Sequence, residues 1–259
     1  MKNLKDMKVM QIDITNYCDK VCANCTRFIG HYPPDKIFHM DLDYFEKAVL
    51  SLKEFPGIVG IIGGEPTLHP EFPKICTILE KNIEDKNRRG LWSNKKGNFN
   101  KYWTLIQHTF GFFALNDHTQ NIYHTPILVS SESVIKNEKV RQIYLDNCWI
   151  QNTWSGTINP KGGFFCEVSA ALSLLMNGPK GIDIEKHPKW WSYPLERFYE
   201  QVKWSCKKCG AAIPLEPRKS SENVDDLSED NYKRLKGTSS KIKHNYIKIF
   251  KGIIDQNQE

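Results

Sequence analysis

The chain has 259 residues, of which 40% are apolar and 25% charged, a composition typical of a soluble protein with one large domain or one domain plus a small appendage. The net charge of +6 arises from 36 basic and 30 acidic residues, and the lysines are scattered, so we do not expect a nucleic-acid-binding surface. No apolar run reaches transmembrane length and no signal-peptide core is visible near the N-terminus, which predicts a cytoplasmic protein without membrane contact.

Strand-like apolar runs alternate with helical patterns from Lys8 to about Ser131. The predicted strands are residues 8–15, 57–64, 88–94, 111–117 and 126–132. The predicted helices are residues 42–55, 71–82, 98–110 and 137–147, with Asp41 as the cap of the first and Pro56 at its end. Repeated strand–helix units indicate an α/β fold with a parallel sheet, and five or six units predict a partial (β/α)6 TIM-like barrel over residues 1–147.

The pattern changes after Asn147. Two short extended runs flank the turn "NPKGG" and predict a β-hairpin, and residues 169–176 predict a short helix. A C-x-x-C pair follows at Cys206 and Cys209. We therefore predict a small second domain at residues 148–218 and a polar C-terminal tail at residues 219–259 with a peripheral helix and partial flexibility.

Three of the eight cysteines stand in one loop, "CDKVCANC", directly after the first predicted strand. In a reducing compartment such cysteines are better explained as metal ligands or reactive thiols than as disulfides. The thiolates of Cys18, Cys22 and Cys25 can hold three corners of a [4Fe-4S] cluster, leaving one iron without a protein ligand. The alternative at this loop is a structural zinc site.

A second motif, "GGEP" (residues 63–66), follows the second predicted strand. Because ligands gather at the carboxyl ends of parallel strands, we expect this motif and the cysteine loop to lie at the same edge of the sheet. Glycines let a backbone approach a ligand closely, and a carboxylate can accept hydrogen bonds from an ammonium group.

The C-x3-C-x2-C loop together with "GGEP" resembles the radical S-adenosylmethionine enzymes. The resemblance implies that Cys18, Cys22 and Cys25 bind a catalytic [4Fe-4S] cluster and that the cofactor S-adenosylmethionine binds its free iron. It implies further that Gly63, Gly64, Glu65 and Pro66 bind the methionine part of the cofactor. Ser93 and Asn94 would supply polar contacts to the cofactor, and Ser130 would meet its ribose.

One position departs from the family pattern. Relatives often carry an aromatic residue just before the third cysteine, where it packs on the adenine, and this chain has Asn24 there. Phe28 is our candidate for the missing stacking contact.

The family resemblance also implies a mechanism. An external one-electron reductant such as flavodoxin or ferredoxin reduces the cluster, and cleavage of S-adenosylmethionine yields a 5′-deoxyadenosyl radical. This radical removes a hydrogen atom from the substrate, while the protein orients the reactants.

Four of the remaining cysteines, Cys148, Cys166, Cys206 and Cys209, resemble the ligand set of a Twitch or SPASM-like domain with an auxiliary [4Fe-4S] cluster. A zinc ribbon on the same four residues is the alternative. Four protein ligands would close the cluster and favour electron transfer over substrate coordination. The eighth, Cys76, lies on an apolar helical face and is expected in the core, although a hydrogen-atom donor is the functional alternative.

The substrate is expected to be a small polar metabolite, such as a sugar, a nucleotide sugar or an aminocyclitol. Asn116, Asp117, His118 and Glu167 are candidate substrate contacts, and Arg27, His31 and His69 flank the two motifs. Size and architecture resemble a family member that oxidises a secondary alcohol, so we expect a radical oxidoreductase of the dehydrogenase type. Alternatives are a radical epimerase, a peptide-modifying (RiPP) enzyme and, outside enzymes, a zinc-stabilised binding module.

Overall fold

The computed structural model describes residues 1–116, 121–153 and 156–253. Its strands are β1 (Val9–Asp13), β2 (Ile58–Ile62), β3 (Arg89–Ser93), β4 (Phe112–Leu115), β5 (Tyr123–His124), β6 (Thr157–Asn159), β7 (Gly162–Phe164), β8 (Arg218–Lys219), β9 (Asp225–Leu227) and β10 (Ile247–Ile249). Its helices are α1 (Leu42–Ser51), α2 (Phe72–Asn82), α3 (Trp103–Thr109), α4 (Ser131–Val134), α5 (Glu138–Asp146), α6 (Trp149–Thr153), α7 (Glu167–Leu175), α8 (Tyr199–Ser205), α9 (Glu229–Leu235) and α10 (Ser240–Lys243).

A six-stranded sheet in the order β4-β3-β2-β1-β6-β7 forms the centre of the fold. Strands β1 to β4 pair in parallel, β6 runs parallel to β1, and β7 is antiparallel to β6. The connecting helices cover the sheet with apolar faces, as in α1, where Phe45, Ala48 and Val49 are buried. The Asp41 side chain caps α1 by accepting from the Tyr44 amide at 2.8 Å, as predicted. The α/β class and the mostly parallel, partial-barrel sheet agree with the sequence analysis.

The hairpin β6–β7 extends the main sheet, because Thr157 and Ile158 of β6 pair with Gln11 and Ile12 of β1. Strands β6 and β7 lie on the side of β1 opposite to β2. The hairpin and the following helix α7 are present where the sequence predicted them. The domain boundary at residue 148 stays a prediction.

The strand predicted at residues 126–132 is wrong, because this stretch is a loop that leads into α4. Ile127, Leu128 and Val129 are buried, which explains their apolar pattern. Their backbone bonds go to separate segments rather than to a strand: Gly210 donates to the Ile127 carbonyl and Ser228 to the Leu128 carbonyl. Burial of an apolar triplet does not by itself distinguish a strand from a packed loop.

The segment predicted to be a polar tail packs against the cysteine loop. Strands β9 and β10 pair in parallel, and α9 and α10 lie between them in sequence. Its polar residues Asp225, Asn231, Ser239 and Lys241 are buried, which the polar composition did not indicate. None of the helices in the described ranges has the length and apolar character needed to cross a bilayer.

Candidate functional site

A cleft of about 520 Å³ opens at the carboxyl ends of the central strands. The predicted site residues that line it are Cys18, Cys22, Cys25, Gly63, Gly64, Ser93, Asn94, Asn116 and Glu167. These residues come from the loops after β1, β2, β3 and β4 and from the start of α7, so the topology brings separate motifs together. The predicted contacts Asp117 and His118 lie outside the described residues.

The two sequence motifs are joined directly through their backbones. The Gly64 amide donates to the Thr15 carbonyl at 2.7 Å, and the Glu65 amide donates to the Tyr17 carbonyl at 2.8 Å. A Cβ atom added at Gly64 would overlap the Tyr17 carbonyl oxygen. The glycines were expected to let the backbone approach a ligand closely. In the structure, Gly64 permits the close approach of the cysteine loop.

The Glu65 carboxylate lies behind the cleft wall and is fully buried. It accepts from the Thr67 hydroxyl at 2.7 Å, the Ser93 hydroxyl at 3.0 Å and the Asn94 amide at 2.8 Å. Burial raises the pKa of Glu65, and these donors oppose the rise. The carboxylate thus fixes the ends of β2 and β3, with Pro66 buried beside it at the start of a short helical turn.

Asn94 links the third strand to the cysteine loop. Its side-chain amide lies 3.5 Å from the Cys18 sulfur and donates to Asp19 at 2.9 Å. The other oxygen of Asp19 accepts from the Gly97 amide at 3.0 Å. Asp19 was missed in the sequence analysis, because an exposed aspartate inside a cysteine loop carries no pattern of its own.

Two predicted cofactor contacts are not brought to the cleft. The Ser130 hydroxyl is buried elsewhere and donates to the Lys207 carbonyl at 2.8 Å, between the cysteines of the C-x-x-C pair. Phe28 packs in the hydrophobic core. The aromatic residues that do line the cleft are Trp92, Tyr123 and Trp149, which no motif had singled out.

A buried ion-pair group forms one wall of the cleft. Arg27 is only 5% exposed and donates to Asp13 at 3.1 Å, to Gln11 at 2.9 Å and to Glu167 at 3.2 Å. Its Nη1 nitrogen is buried and has no hydrogen-bond partner within the described ranges. Burial raises the pKa of Asp13 to about 6, although the Arg27 guanidinium opposes this shift.

Asn24 joins the cysteine loop to the C-terminal segment. It adopts a left-handed conformation with φ of 50°, a region that asparagine tolerates better than most residues. Its backbone amide donates to Asp225 at 2.6 Å, and its side chain exchanges two bonds with Asp226. Asn24 therefore fills a structural role between the cysteine loop and the C-terminal segment.

Asp225 is the centre of a buried polar group behind the loop. It accepts from Lys241 at 2.6 Å and lies 2.6 Å from His31, whose other ring nitrogen lies 2.7 Å from Ser239. Lys241 also donates to the Cys22 carbonyl at 2.9 Å. Burial alone would raise the pKa of Asp225, but His31 and Lys241 outweigh it and lower the pKa. We refer to Asn24, His31, Asp225, Asp226 and Lys241 as the C-terminal clamp.

Two further polar residues flanking the motifs are part of the local scaffold. His69 bonds to the Met40 carbonyl at 2.9 Å and accepts from the Glu71 amide. His31 belongs to the C-terminal clamp. His31 and His69 therefore hold loops in place and do not line the cleft.

The other four predicted ligands line a separate cavity. Cys148, Cys166, Cys206 and Cys209 surround it together with apolar side chains that include Phe165 and Leu172. Burial raises the pKa of each of these thiols, to about 12 for Cys206. Burial also raises the pKa of Cys22 to about 12, so all these thiols are neutral until a metal displaces their protons.

The donor set of both sites fits iron–sulfur chemistry, because thiolates are the usual ligands of such clusters. In the parts of the chain that the structure describes, no three His, Cys, Asp or Glu side chains converge on a point that one metal ion would occupy. A single zinc ion needs its sulfur ligands at about 2.3 Å from one centre. The three-cysteine loop lines the cleft of about 520 Å³, and the other four cysteines line a cavity of about 20 Å³.

Comparison with solved structures shows the fold. The chain is similar to BtrN in complex with AdoMet and 2-DOIA, with 13% identity over 81% of this chain and 94% of that chain and a TM-score of 0.51. It is also similar to selenomethionine BtrN in an open conformation, with 13% identity over 83% and 92% of the two chains and a TM-score of 0.49. The first of these matches supports the architecture expected from the sequence.

Sequence-level comparisons give no relative. No protein-family model matches the chain. No curated protein matches it either.

Proposed function

We propose that this protein is a radical S-adenosylmethionine enzyme that oxidises a small polar substrate. The observation that carries the proposal is the meeting of Cys18, Cys22 and Cys25 with Gly63 and Gly64 in one cleft. These motifs are distant in sequence but joined by backbone hydrogen bonds. The shared fold with BtrN, which was crystallised with AdoMet, supports the same conclusion.

The residues of the cleft would divide the work of binding. Cys18, Cys22 and Cys25 would hold a [4Fe-4S] cluster, and the backbone at Gly63 and Gly64, which lines the cleft, would meet the methionine part of the cofactor. When bound, the cluster and cofactor would supply a 5′-deoxyadenosyl radical able to remove a hydrogen atom from carbon. Glu65 would act from behind the wall, by holding Ser93 and Asn94 in place.

The substrate would lie between the cofactor and the opposite wall. Asn116 and Glu167 line this part of the cleft and offer a hydrogen-bonding amide and a carboxylate. A carboxylate near a reacting alcohol can accept the hydroxyl proton during oxidation to a ketone. The architecture resembles that of 2-deoxy-scyllo-inosamine dehydrogenase, and an aminocyclitol, sugar or nucleotide sugar would suit this polar wall.

The cavity lined by Cys148, Cys166, Cys206 and Cys209 would hold an auxiliary [4Fe-4S] cluster. With four protein ligands it would serve as acceptor of the second electron of an alcohol oxidation. We further propose that flavodoxin or ferredoxin reduces the first cluster and that the enzyme works in the cytoplasm.

Metal and product analysis tests the proposal. Protein purified and reconstituted without oxygen is assayed for iron and sulfide and then incubated with S-adenosylmethionine and dithionite. We expect about eight irons per chain and formation of 5′-deoxyadenosine. Stoichiometric zinc with neither iron nor 5′-deoxyadenosine would refute the enzyme and support a zinc-stabilised binding module.

Isotope transfer distinguishes the reaction types. With 2-deoxy-scyllo-inosamine deuterated at the reacting carbon, oxidation would move deuterium into 5′-deoxyadenosine and yield a ketone. Recovery of an isomer that has gained hydrogen from solvent would indicate an epimerase instead.

A further inference from the structure

One polar atom of Arg27, a residue that lines the cleft, makes no hydrogen bond within the described ranges. Arg27 has a buried guanidinium, and its Nη1 nitrogen lacks a hydrogen-bond partner within the described ranges. The other side of the same group is saturated by Asp13, Gln11 and Glu167. A buried N–H without a partner costs free energy comparable to a lost hydrogen bond, so such an atom marks a place where a ligand can bind.

We propose that Arg27 is a substrate-binding residue that donates from Nη1 to an uncharged oxygen, such as a hydroxyl, of the substrate. The inference rests on the proposed function and deepens it by naming the chemistry of the group that is bound. Arg27 lines the cleft that also contains Glu167. A hydroxyl can accept from Arg27 and donate to the neighbouring carboxylate, which a carboxylate or phosphate ester on the substrate cannot do.

The charges of the wall favour a neutral or cationic group over an anion. Two carboxylates, Asp13 and Glu167, lie 3.1 and 3.2 Å from the single guanidinium. With both carboxylates ionised, the guanidinium charge is balanced and one negative charge is in excess. An anionic substrate group would meet this excess in a buried setting where charge repulsion is poorly screened. Among the expected substrates, this favours an unphosphorylated polyol or aminocyclitol over a nucleotide sugar presenting its diphosphate to this wall.

Arg27 also has a fixed orientation, which suits recognition. Three hydrogen bonds from Nε and Nη2 hold the planar guanidinium in one orientation, so its own conformational freedom is already lost before a ligand binds. Lysine at this position could keep the positive charge but has no planar group to repeat this arrangement. The variant Arg27→Lys therefore removes the free donor while retaining the charge.

Calorimetric titration of two probes tests the proposal. The probe without an anionic group is 2-deoxy-scyllo-inosamine, and the anionic probe is myo-inositol 1-phosphate. Reconstituted wild-type protein with S-adenosylmethionine is expected to bind the first at least tenfold more tightly than the second. Arg27→Lys is expected to lower affinity for the first probe by about tenfold or more, because a hydrogen bond from a charged donor is lost.

Two additional variants complete the test. Arg141→Lys changes another buried arginine, which donates to the Ile135 carbonyl away from the cleft, and should leave probe binding unchanged. Glu167→Gln removes the excess negative charge and should reduce the difference in affinity between the two probes. Circular dichroism and 5′-deoxyadenosine formation without substrate show whether each variant is folded and loaded.

The outcomes separate this inference from the proposed function. Loss of probe binding in Arg27→Lys with substrate-free 5′-deoxyadenosine formation retained supports the role of Arg27. Wild-type protein that binds neither probe, prefers the phosphorylated one, or binds equally well after Arg27→Lys overturns it. Absence of iron and of 5′-deoxyadenosine in the wild type refutes the proposed function, whereas the titrations still report on the cleft.

Discussion

The three-cysteine loop (the open site) and the four-cysteine cavity (the closed site) differ in what surrounds their sulfurs. The loop faces an open cleft with polar residues and backbone on its other walls, and a network of hydrogen bonds holds it from behind. The cavity is lined largely by apolar side chains, and three of its cysteines, Cys148, Cys166 and Cys206, directly adjoin the end of a helix. A site that reacts with small molecules must be open to them, as the cleft is. A site that only stores an electron can be enclosed by apolar side chains, as the cavity is.

Removing a thiol of the open site should have the largest effect. Cys22→Ala leaves two thiolates in the loop, too few to hold a cluster with three protein ligands. We expect formation of 5′-deoxyadenosine to be abolished, measured by liquid chromatography after anaerobic incubation with dithionite. Undiminished formation in this variant would show that the loop is not the cluster site.

Removing a thiol of the closed site should separate two activities. We expect Cys206→Ala to keep substrate-free 5′-deoxyadenosine formation, because the cleft residues are unchanged, and to stop ketone formation from a substrate. Both products are measured in the same samples, with Cys22→Ala as the matched control. Continued ketone formation at the normal rate would assign the closed site a purely structural role.

The C-terminal clamp should affect the open site more than the closed one. Asp225→Asn leaves the buried Lys241 cation without its carboxylate and weakens the bonds behind Cys22. We expect a loss of about 3 kcal/mol in the free energy of unfolding. Urea denaturation measures this loss, and iron analysis should show depletion at the three-cysteine site.

Asp183→Asn is the control for this variant, because the Asp183 side chain bonds to the amides of its own exposed turn and pairs with Lys186 at the surface. Asp225→Asn is also combined with Cys22→Ala, which leaves only the four-cysteine site intact, and with Cys206→Ala, which leaves only the three-cysteine site intact. Equal loss of iron in the two double variants would argue against a clamp specific to the loop.

The smallest effect is expected at the cysteine that belongs to neither site. Cys76 is fully buried in the hydrophobic core on α2. Cys76→Ala should cost about 1 kcal/mol of stability through the lost packing and leave turnover unchanged. A variant that still forms 5′-deoxyadenosine but no longer converts substrate would instead identify Cys76 as a hydrogen-atom donor.

Local sequence patterns sufficed for much of the fold and for the outline of the site. The period of the apolar residues located α1, α2 and β1 to β4, and the positions of Cys18 and Gly63 after consecutive strands placed them at one edge of the sheet. Such features depend on neighbours in the chain and on rules of topology.

Features that depend on distant contacts could not be predicted in the same way. The buried carboxylate of Asp225 has its partners at Asn24 and His31, and a polar stretch gives no sign of such burial. Likewise, the apolar run at Ile127 to Val129 looks like a strand until its backbone bonds to other segments are known. The aromatic wall residues Trp92 and Trp149 follow no motif, because a concave surface needs only suitable shape and exposure.

The hydrogen bond between Asn24 and Asp225 spans 201 positions of the chain. During synthesis on the ribosome, Asn24 is therefore made 201 residues before its partner Asp225. The cysteine loop cannot gain these supports until the segment behind it has been made, and contacts of such long sequence separation close late in folding.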